Sequence, residues 1–254
     1  MNQPDPRLAA FERLLNIMDD LREKCPWDMK QTFESLRHLT IEETYELSDA
    51  ILKKDLPEIK KELGDILLHM VFYAKLGSEE KAFDITDVLT SICEKLISRH
   101  PHIYGDVKVE NAEEVKQNWE QLKLKEGNRS VLSGVPASMP SLVKAARMQD
   151  KAAQVGFDWP QIENVWEKVE EEMQEFQQAQ GTDKEEEFGD LLFSLVNYAR
   201  WLKINPDDAL ERTNIKFKRR FETIEAEARK QGREINSMSL TEMDAIWNLA
   251  KKAE

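Results

Sequence analysis

The chain has 254 residues, a formal net charge of −13 at pH 7 and a hydrophobic fraction of 41%. This length suits one large or two medium domains, and the negative charge argues against a general binder of DNA, RNA or anionic membrane surfaces. No run of about 18 apolar residues is present, and the first residues do not resemble a signal peptide. We therefore expect a soluble, cytoplasmic protein without a membrane segment.

The composition predicts an all-α fold. Glycine and proline occur only nine times each, helix-forming residues are abundant, and alternating β-branched runs are nearly absent. Cys25 and Cys93 are expected to be free thiols, and no cysteine or histidine spacing indicates zinc.

Three amphipathic helices are predicted at the start of the chain. The first spans residues 8–23 and ends before the sequence CPWD at 25–28, and the second spans residues 32–51. A third begins at Asp55, which stands at the capping-box distance from Glu58. The expected core positions of the second helix are Leu36, Leu39, Ile41, Tyr45 and Leu47.

Two predicted helices between residues 168 and 196 carry acidic residues on one face each, separated by Gly181, which suits a helix end. These acidic residues are Glu171, Glu172 and Glu175, then Glu187 and Asp190. In a helical hairpin the two acidic faces would meet, and each carboxylate pair at roughly 6 Å would repel by about 3 kcal/mol at an effective dielectric near 20. Carboxylate oxygens favour Mg²⁺, or Mn²⁺ in its place, over zinc.

The second helix of this hairpin has two possible starts. Capping-box spacing occurs at Thr182 with Glu185 and at Asp183 with Glu186. Asp190 lies within the apolar segment FGDLLFSLV, and a carboxylate beside such a face usually has a functional reason. The flanking residues expected to be buried are Phe188, Leu191, Leu192 and Leu195.

The acidic hairpin occurs twice in the chain. IEETYEL at 41–47 matches EEEMQEF at 170–176, and ELGDILLHMVFYAKL at 62–76 matches EFGDLLFSLVNYARWL at 187–202. The residues in the first copy that correspond to the five acidic residues above are Glu42, Glu43, Glu46, Glu62 and Asp65. Chance clustering in an acidic chain does not explain a spacing that repeats.

The repeat continues downstream, where residues 87–99 align with 208–220. The matched positions are Lys95 with Lys216, Arg99 with Arg220, Cys93 with Asn214, and the Trp119–Lys123 pair with Trp247–Lys251. Between the copies, residues 125–140 form the stretch richest in glycine, serine and proline. This pattern predicts an N-terminal domain at 1–124, a linker at 125–140 and a C-terminal domain at 141–254.

Carboxylate-bound magnesium beside basic residues suits phosphoryl or nucleotidyl substrates. Lys216, Lys218, Arg219 and Arg220 form a basic run that either grips phosphates or is a solvated helix end. Trp247 either stacks on a nucleobase or belongs to the core. No P-loop, nucleophile elbow or dinucleotide fingerprint is present.

The two EExxE and ExxD sets, CPWD near the start and NIKFKRRF at 214–221 together resemble the MazG family of nucleoside triphosphate pyrophosphohydrolases, over nearly the whole chain. The resemblance implies two tandem MazG-like helical bundles, a homodimer and dependence on magnesium. It also implies conversion of a nucleoside triphosphate, such as ATP, to the monophosphate and pyrophosphate.

The resemblance further implies that the second copy carries the activity. Its metal ligands and catalytic carboxylates would be Glu172, Glu175, Glu187 and Asp190. Its substrate-binding residues would be Lys168, Glu171, Asn214, Lys216, Arg220 and Trp247. The first copy would be a degenerate or dimer-building domain with a second metal site at Glu43, Glu46, Glu62 and Asp65.

The expected reaction is attack of water on the α-phosphorus, with the water activated by the metal ions and one of the glutamates. Three alternatives stay open. The enzyme could be restricted to dUTP or aberrant nucleotides, the protein could be a non-catalytic nucleotide sensor or partner-binding helical protein, or the acidic faces could be only solvated surfaces of a structural bundle.

Overall fold

The computed structural model describes residues 5–109, 111, 114–115, 118–119 and 130–253, and every regular element in these ranges is helical. The predicted all-α fold is confirmed. The chain divides into two compact units, Met1–Trp119 and Glu120–Glu254. The predicted boundary at residue 124 and the first part of the predicted linker, residues 125–129, lie outside the described residues. None of the described helices is long and apolar enough to span a membrane.

The described helices of the first unit follow the predicted order. Their bounds are α1 Pro6–Lys24, α2 Phe33–Lys53, α3 Leu56–Glu79, α4 Ile85–Arg99 and α5 Pro101–Tyr104, with a short 3₁₀ helix at Asp28–Lys30. The predicted cap of α3 is confirmed, because the Asp55 side chain accepts a hydrogen bond from the amide of Glu58. Thr32 and Ser35 form a capping box at the start of α2.

The core of the first unit lies where α1, α2 and α3 meet. Its buried members are Met18, Leu36, Val71, Phe72 and Leu76. The prediction that Ile41 and Tyr45 belong to this core is wrong, because both are exposed. At about 100° per residue, Tyr45 lies on the side of α2 opposite Leu36, and Ile41 lies close to Tyr45 on that side. The face of α2 that carries Leu36 therefore packs in the core, and the face that carries Ile41 and Tyr45 does not.

The second unit contains five helices among the described residues. They are α6 Ser141–Gln154, α7 Ile162–Gln178, α8 Asp183–Trp201, α9 Pro206–Lys230 and α10 Leu240–Lys252, with 3₁₀ helices at Val131–Gly134 and Ile235–Ser237. The predicted hairpin is present as α7 and α8. Gly181 occupies the turn with φ +63°, a left-handed conformation that costs a side-chain-bearing residue energy.

The predicted capping box at the start of α8 is absent from this described turn. Thr182 has helical backbone angles and makes no side-chain capping hydrogen bond. Its hydroxyl instead donates to the carboxylate of Asp183. A capping side chain normally needs an extended backbone, so the correct spacing alone did not produce the cap.

One apolar face of α8 is not covered. Leu191 is buried as expected, but the prediction that Phe188, Leu192 and Leu195 are buried is wrong. These three lie at spacings of four and three, which place them on one stripe of the helix. The matching positions of α3, Leu63, Leu67 and Met70, are exposed as well. Both copies of the hairpin thus leave the same apolar stripe open.

Candidate functional site

The α7–α8 hairpin brings three of the predicted carboxylates together. Oxygen atoms of Glu172 on α7 and of Glu187 and Asp190 on α8 all lie within 4.8 Å of one another. Glu172 is buried, Glu187 is half-buried and Asp190 is exposed. The cluster is therefore anchored in the unit at Glu172 and open to solvent at Asp190.

Lys168 supplies the positive charge nearest to this cluster among the contacts described. Its Nζ lies 2.8 Å from Glu172 and 3.0 Å from Glu171. The hydrogen bonds to Glu172 and then Glu171 raise the pKa of Lys168. The lysine, one helical turn before Glu172, is thus a permanently charged group beside the carboxylates.

The negative charge of the cluster is only partly compensated. Burial raises the pKa of Glu187, and the charges of Glu175, Asp190 and Glu172 raise it further. Glu175 is exposed and lies outside the tight group, but it adds to this field. Several oxygen donors with excess negative charge fit a hard divalent cation such as Mg²⁺ or Mn²⁺.

The first copy contains a matching cluster. Oxygen atoms of Glu43, Glu62 and Asp65 also lie within 4.8 Å of one another, while Glu46 is exposed. Glu62 is fully buried, and its Oε2 accepts no hydrogen bond from any described residue. Burial raises the pKa of Glu43, and the neighbouring Glu62 raises it further. This set also fits a cation.

The two clusters differ in the position of the lysine that contacts them. The position of Lys168 corresponds to Leu39 in the first copy. There the cation is Lys61, which precedes Glu62 on α3 and lies 2.7 Å from it. Lys61 also pairs with Glu58 at 2.8 Å, so its charge is shared with an exposed surface carboxylate. In the second copy the contacting lysine thus lies on α7, the helix of Glu172, whereas in the first copy it lies on α3, the helix of Glu62 and Asp65.

A cavity of about 610 Å³ adjoins the carboxylates of the second copy. It lies among α6, the loop at 155–161, α7 and α8. Lys168, Glu172 and Asp190 lie on its wall. The other lining side chains include aromatic rings and polar groups from α6, α8 and the loop, namely Gln149, Phe157, Asp158, Trp159, Phe193, Ser194, Asn197 and Arg200.

The loop at 155–161, which lines the cavity, is held against α8 by hydrogen bonds to Asp158. Its Oδ1 accepts hydrogen bonds from Arg200, from the indole Nε1 of Trp201 at 3.1 Å and from the amide of Trp159 at 2.9 Å. Burial alone would raise the pKa of Asp158, but the hydrogen bonds and charge of Arg200 and the other donors lower it overall. The residues of this loop that line the cavity, 156–159, are thus held in place beside α8.

The other predicted substrate-binding residues lie on α9 and α10. Trp247 packs against Phe217 at 5.2 Å between ring centroids, and the Arg220 guanidinium lies 5.3 Å from its ring. The Asn214 amide donates to Glu211, and Lys216 is exposed. None of Asn214, Lys216, Arg220 and Trp247 is among the described residues that line the cavity.

The aromatic–arginine pair also repeats. In the first copy the Arg99 guanidinium lies 5.7 Å from the centroid of Trp119, as Arg220 does over Trp247. The predicted lysine partner of Trp119, Lys123, lies outside the described residues. The sequence repeat therefore corresponds to a repeated contact beyond the acidic hairpins.

Sequence reasoning missed the cavity, although part of its signal was available. Asp190, Phe193, Asn197 and Arg200 follow one another at spacings of three, four and three, which is one face of a helix. The sequence alone could therefore have assigned the polar residues of that face to the site, because they share the face with Asp190. Gln149 could not, because it comes from a different helix.

Comparison with known proteins supports one family. The sequence profile described as MazG nucleotide pyrophosphohydrolase domain matches residues 31–104. A nucleoside triphosphate pyrophosphohydrolase of Escherichia coli is 41% identical over 97% of this chain and 99% of its own length. The nucleoside triphosphate pyrophosphohydrolase/pyrophosphatase MazG of Thermotoga maritima is 44% identical over 95% of both chains. YabN of Bacillus subtilis, an uncharacterized protein, is 47% identical over 96% of this chain and 52% of its own length.

Proposed function

Because the chain belongs to the MazG family of nucleoside triphosphate pyrophosphohydrolases, we propose that its second unit converts nucleoside triphosphates to monophosphates and pyrophosphate in a magnesium-dependent reaction. The observation that carries this proposal is the group formed by Glu172, Glu187 and Asp190 beside Lys168 at the edge of a cavity. The cluster offers oxygen donors for metal ions that hold phosphates, and the cavity offers room for the remainder of a nucleotide.

The proposed metal ligands are Glu172, Glu175, Glu187 and Asp190. When bound, Mg²⁺ would neutralise phosphate charge and lower the pKa of a coordinated water. Lys168 holds Glu172 in place and adds a positive charge on the side of the cluster where phosphate oxygens would lie. One of the glutamates of the cluster would accept the proton of the attacking water. The proposed point of attack is the α-phosphorus.

We assign supporting roles to the remaining predicted residues. Glu171 shares Lys168 with Glu172 and thereby limits its movement. Asn214, Lys216, Arg220 and Trp247 are proposed nucleotide contacts, supported by the basic character of this part of α9 and by the Arg220–Trp247 contact. The first copy is proposed to hold a metal ion without turnover, since Leu39 replaces Lys168 beside its cluster.

We also propose that the protein is a homodimer. The exposed stripe of α8, formed by Phe188, Leu192 and Leu195, would be covered by a second copy of the chain. Contiguous apolar stripes of this kind are unusual on the surface of a monomeric protein. The same stripe on α3 offers a second apolar surface that a symmetric partner could cover.

The products test the reaction directly. Incubation of the protein with each common nucleoside triphosphate and magnesium chloride should give the monophosphate and pyrophosphate. In water labelled with oxygen-18, the label should enter the monophosphate, because attack on the α-phosphorus leaves the new oxygen there. Label in pyrophosphate would place the attack on the β-phosphorus. Release of the nucleoside diphosphate and phosphate, or binding of the nucleotide without turnover, would contradict the proposed activity.

Paired substitutions test which copy is catalytic. Asp190→Asn and Glu175→Ala should reduce the rate of pyrophosphate release by at least about a hundredfold, because catalysis by a bound metal ion requires its ligands. The equivalent change Asp65→Asn in the first copy should leave the rate within about twofold. Circular dichroism should show unchanged helix content in all three variants. Equal losses at Asp65 and Asp190 would contradict the proposed division of roles.

A further inference from the structure

The loop at 155–161 depends on one carboxylate for its position. Its first residues are bonded to the end of α6, but residues 158–161 make no backbone-to-backbone hydrogen bond in the part of the chain that the structure describes. Asp158 Oδ1 supplies contacts in their place, because it accepts hydrogen bonds from Arg200 and from the indole of Trp201, both at the end of α8. The Asp158 side chain is 25% exposed and that of Arg200 is 17% exposed, so this pair is shielded from most of the solvent.

The contact ties the loop to the helix that carries two of the proposed metal ligands. Arg200 follows Asp190 on α8 and lies about 15 Å further along the helix axis, at 1.5 Å per residue. Both residues lie on the wall of the cavity, and so do residues 156–159 of the loop. The Asp158–Arg200 pair therefore fixes the loop relative to the carboxylates that would hold phosphate.

The first copy holds its equivalent loop in a different way. The alignment of the copies places Lys75 opposite Arg200 and Asp28 opposite Asp158. Lys75 pairs with Asp19 of α1 at 2.6 Å, and no contact between Lys75 and Asp28 is described. That loop is held from α1, where an arginine donates to two of its backbone carbonyls. Among the described residues, only the second copy ties the loop directly to the helix that follows its acidic hairpin turn.

We propose that Asp158 is a positioning residue for the substrate, which strengthens binding of the nucleotide by holding residues 156–159 beside α8 and does not change the rate of the chemical step. The inference rests on the proposed function, because it takes the phosphates to lie at the carboxylates and the rest of the nucleotide to lie in the cavity. Phe157 and Trp159, which are 83% and 42% exposed, are the loop side chains that would lose their place without Asp158.

Steady-state kinetics of the full chain with a nucleoside triphosphate and magnesium chloride test this role. Asp158→Ala should raise KM about tenfold and leave kcat within about twofold, because the loop is released while the carboxylates of the cluster stay in place. Asp158→Asn keeps an oxygen that accepts hydrogen bonds, so its KM should lie within about threefold of the wild-type value. A loss of stability alone would lower the amount of folded enzyme and hence the apparent kcat, and would not raise KM.

Arg200 should act through the same contact. Arg200→Met keeps most of the aliphatic stem and should also raise KM about tenfold. The double variant of Asp158→Ala and Arg200→Met should raise KM no further than either single change, because the two side chains form one contact. Asp19→Ala is the matched control, since it breaks the pair made by the equivalent lysine of the first copy. It should leave both KM and kcat at the wild-type values.

Two binding measurements separate this inference from the proposed activity. In isothermal titration calorimetry with magnesium chloride, α,β-methylene-ATP should bind Asp158→Ala about tenfold more weakly than wild-type protein, because the loop is no longer preorganised. Inorganic tripolyphosphate occupies only the phosphate site, so its dissociation constant should be the same for both proteins. Neither measurement needs turnover, so both test the role of Asp158 even where wild-type protein releases no pyrophosphate.

Several results would overturn the proposal. They are an unchanged KM in folded Asp158→Ala, a fall in kcat at constant KM, weakening of tripolyphosphate binding equal to that of the nucleotide analogue, or additive effects of the Asp158 and Arg200 substitutions. Where Asp158→Ala does not fold, Arg200→Met breaks the same contact from α8 and the same criteria apply. Absence of pyrophosphate release by wild-type protein would contradict the proposed function alone, whereas equal binding of α,β-methylene-ATP to wild-type protein and Asp158→Ala would contradict the role of Asp158.

Discussion

Glu172 and Glu62 are the buried acidic side chains of the two clusters, and their surroundings differ. Glu172 is paired with Lys168 on its own helix. Glu62 is paired through Oε1 with Lys61, while its buried Oε2 has no described donor, and the Lys61 hydrogen bond lowers the pKa of Glu62. The repulsion in the first cluster therefore falls on Glu43, whose pKa is raised by burial and by the neighbouring carboxylates, and a cation would relieve it.

We expect Glu43→Gln to raise the melting temperature by a few degrees in the presence of a chelator, because burial and the charges of Asp65, Glu46 and Glu62 raise the pKa of Glu43 and thus disfavour its ionised form. The increase in melting temperature caused by magnesium chloride should become smaller, since a ligand of the first cluster is lost. Differential scanning calorimetry with and without magnesium measures both effects.

Glu12→Gln is the matched control, because it makes the same change of charge at an exposed position of α1. It should alter neither quantity. A lower melting temperature of Glu43→Gln in chelator would mean that the ionised Glu43 side chain stabilises the fold and that no repulsion is stored there.

The carboxylates of both clusters could be predicted because helical spacing alone decides which of them share a face. The cavity beside the second cluster could not, because its lining depends on contacts between distant residues. Gln149 on α6 lines it and donates to the carbonyl of Phe193 on α8, which is 44 residues away. No local pattern in the sequence reports such a contact.

At the scale of the helices, starts were predicted well where a cap is purely local. Asp55 caps α3 as expected. Thr182 does not cap α8, because its backbone, which follows the left-handed Gly181, is already helical and not extended. Which faces are covered was predicted poorly. Apolar spacing identifies a stripe on α8 or α2, but it does not identify the partner that buries it.

Helix α10, which carries Trp247, begins at a charged capping arrangement. Ser239 and Glu242 form a capping box, and Arg233 lies 2.9 Å from the Glu242 carboxylate. The hydrogen bond from Arg233 and those from Ser239 lower the pKa of Glu242 to about 2. The carboxylate therefore contributes to stability only while it is ionised.

This arrangement predicts an acid-sensitive stability. Because the pKa of Glu242 is lower in the folded than in the unfolded state, its contribution is complete above about pH 4.5 and is lost as the pH falls towards about 2. Urea unfolding at pH 6 and pH 3 should show a smaller pH-dependent loss for Glu242→Gln than for wild-type protein. Identical losses in the two proteins would show that Glu242 does not contribute.

At the scale of the whole molecule, the stripes of α3 and α8 are apolar surfaces that no described residue covers. Their residues occupy equivalent positions in the two copies, Leu63 with Phe188, Leu67 with Leu192 and Met70 with Leu195. The error in predicting the burial of Phe188, Leu192 and Leu195 thus has a physical meaning. An apolar pattern in the sequence shows that a helix face must be kept from water. It does not show whether the same chain or another one covers that face.

We expect Leu192→Glu to shift the protein from dimer to monomer in analytical ultracentrifugation at micromolar concentration, because a charge would be placed in an apolar contact. Leu67→Glu should have the same effect where the α3 stripe takes part. Leu240→Glu, at an exposed first-turn position of α10, is the control and should leave the assembly unchanged. A wild-type protein that sediments as a monomer would remove the basis for the proposed assembly.

The turn at Gly181 also has a consequence for the order of folding. It joins α7 and α8 directly, so Glu172 and Glu187 meet by closing a short loop, which is fast and costs little chain entropy. The cavity additionally needs α6, whose Gln149 reaches α8 across 44 residues. During refolding we therefore expect the acidic cluster to assemble early and the cavity late, and hydrogen exchange should show protection of α8 in its hairpin before protection of α6.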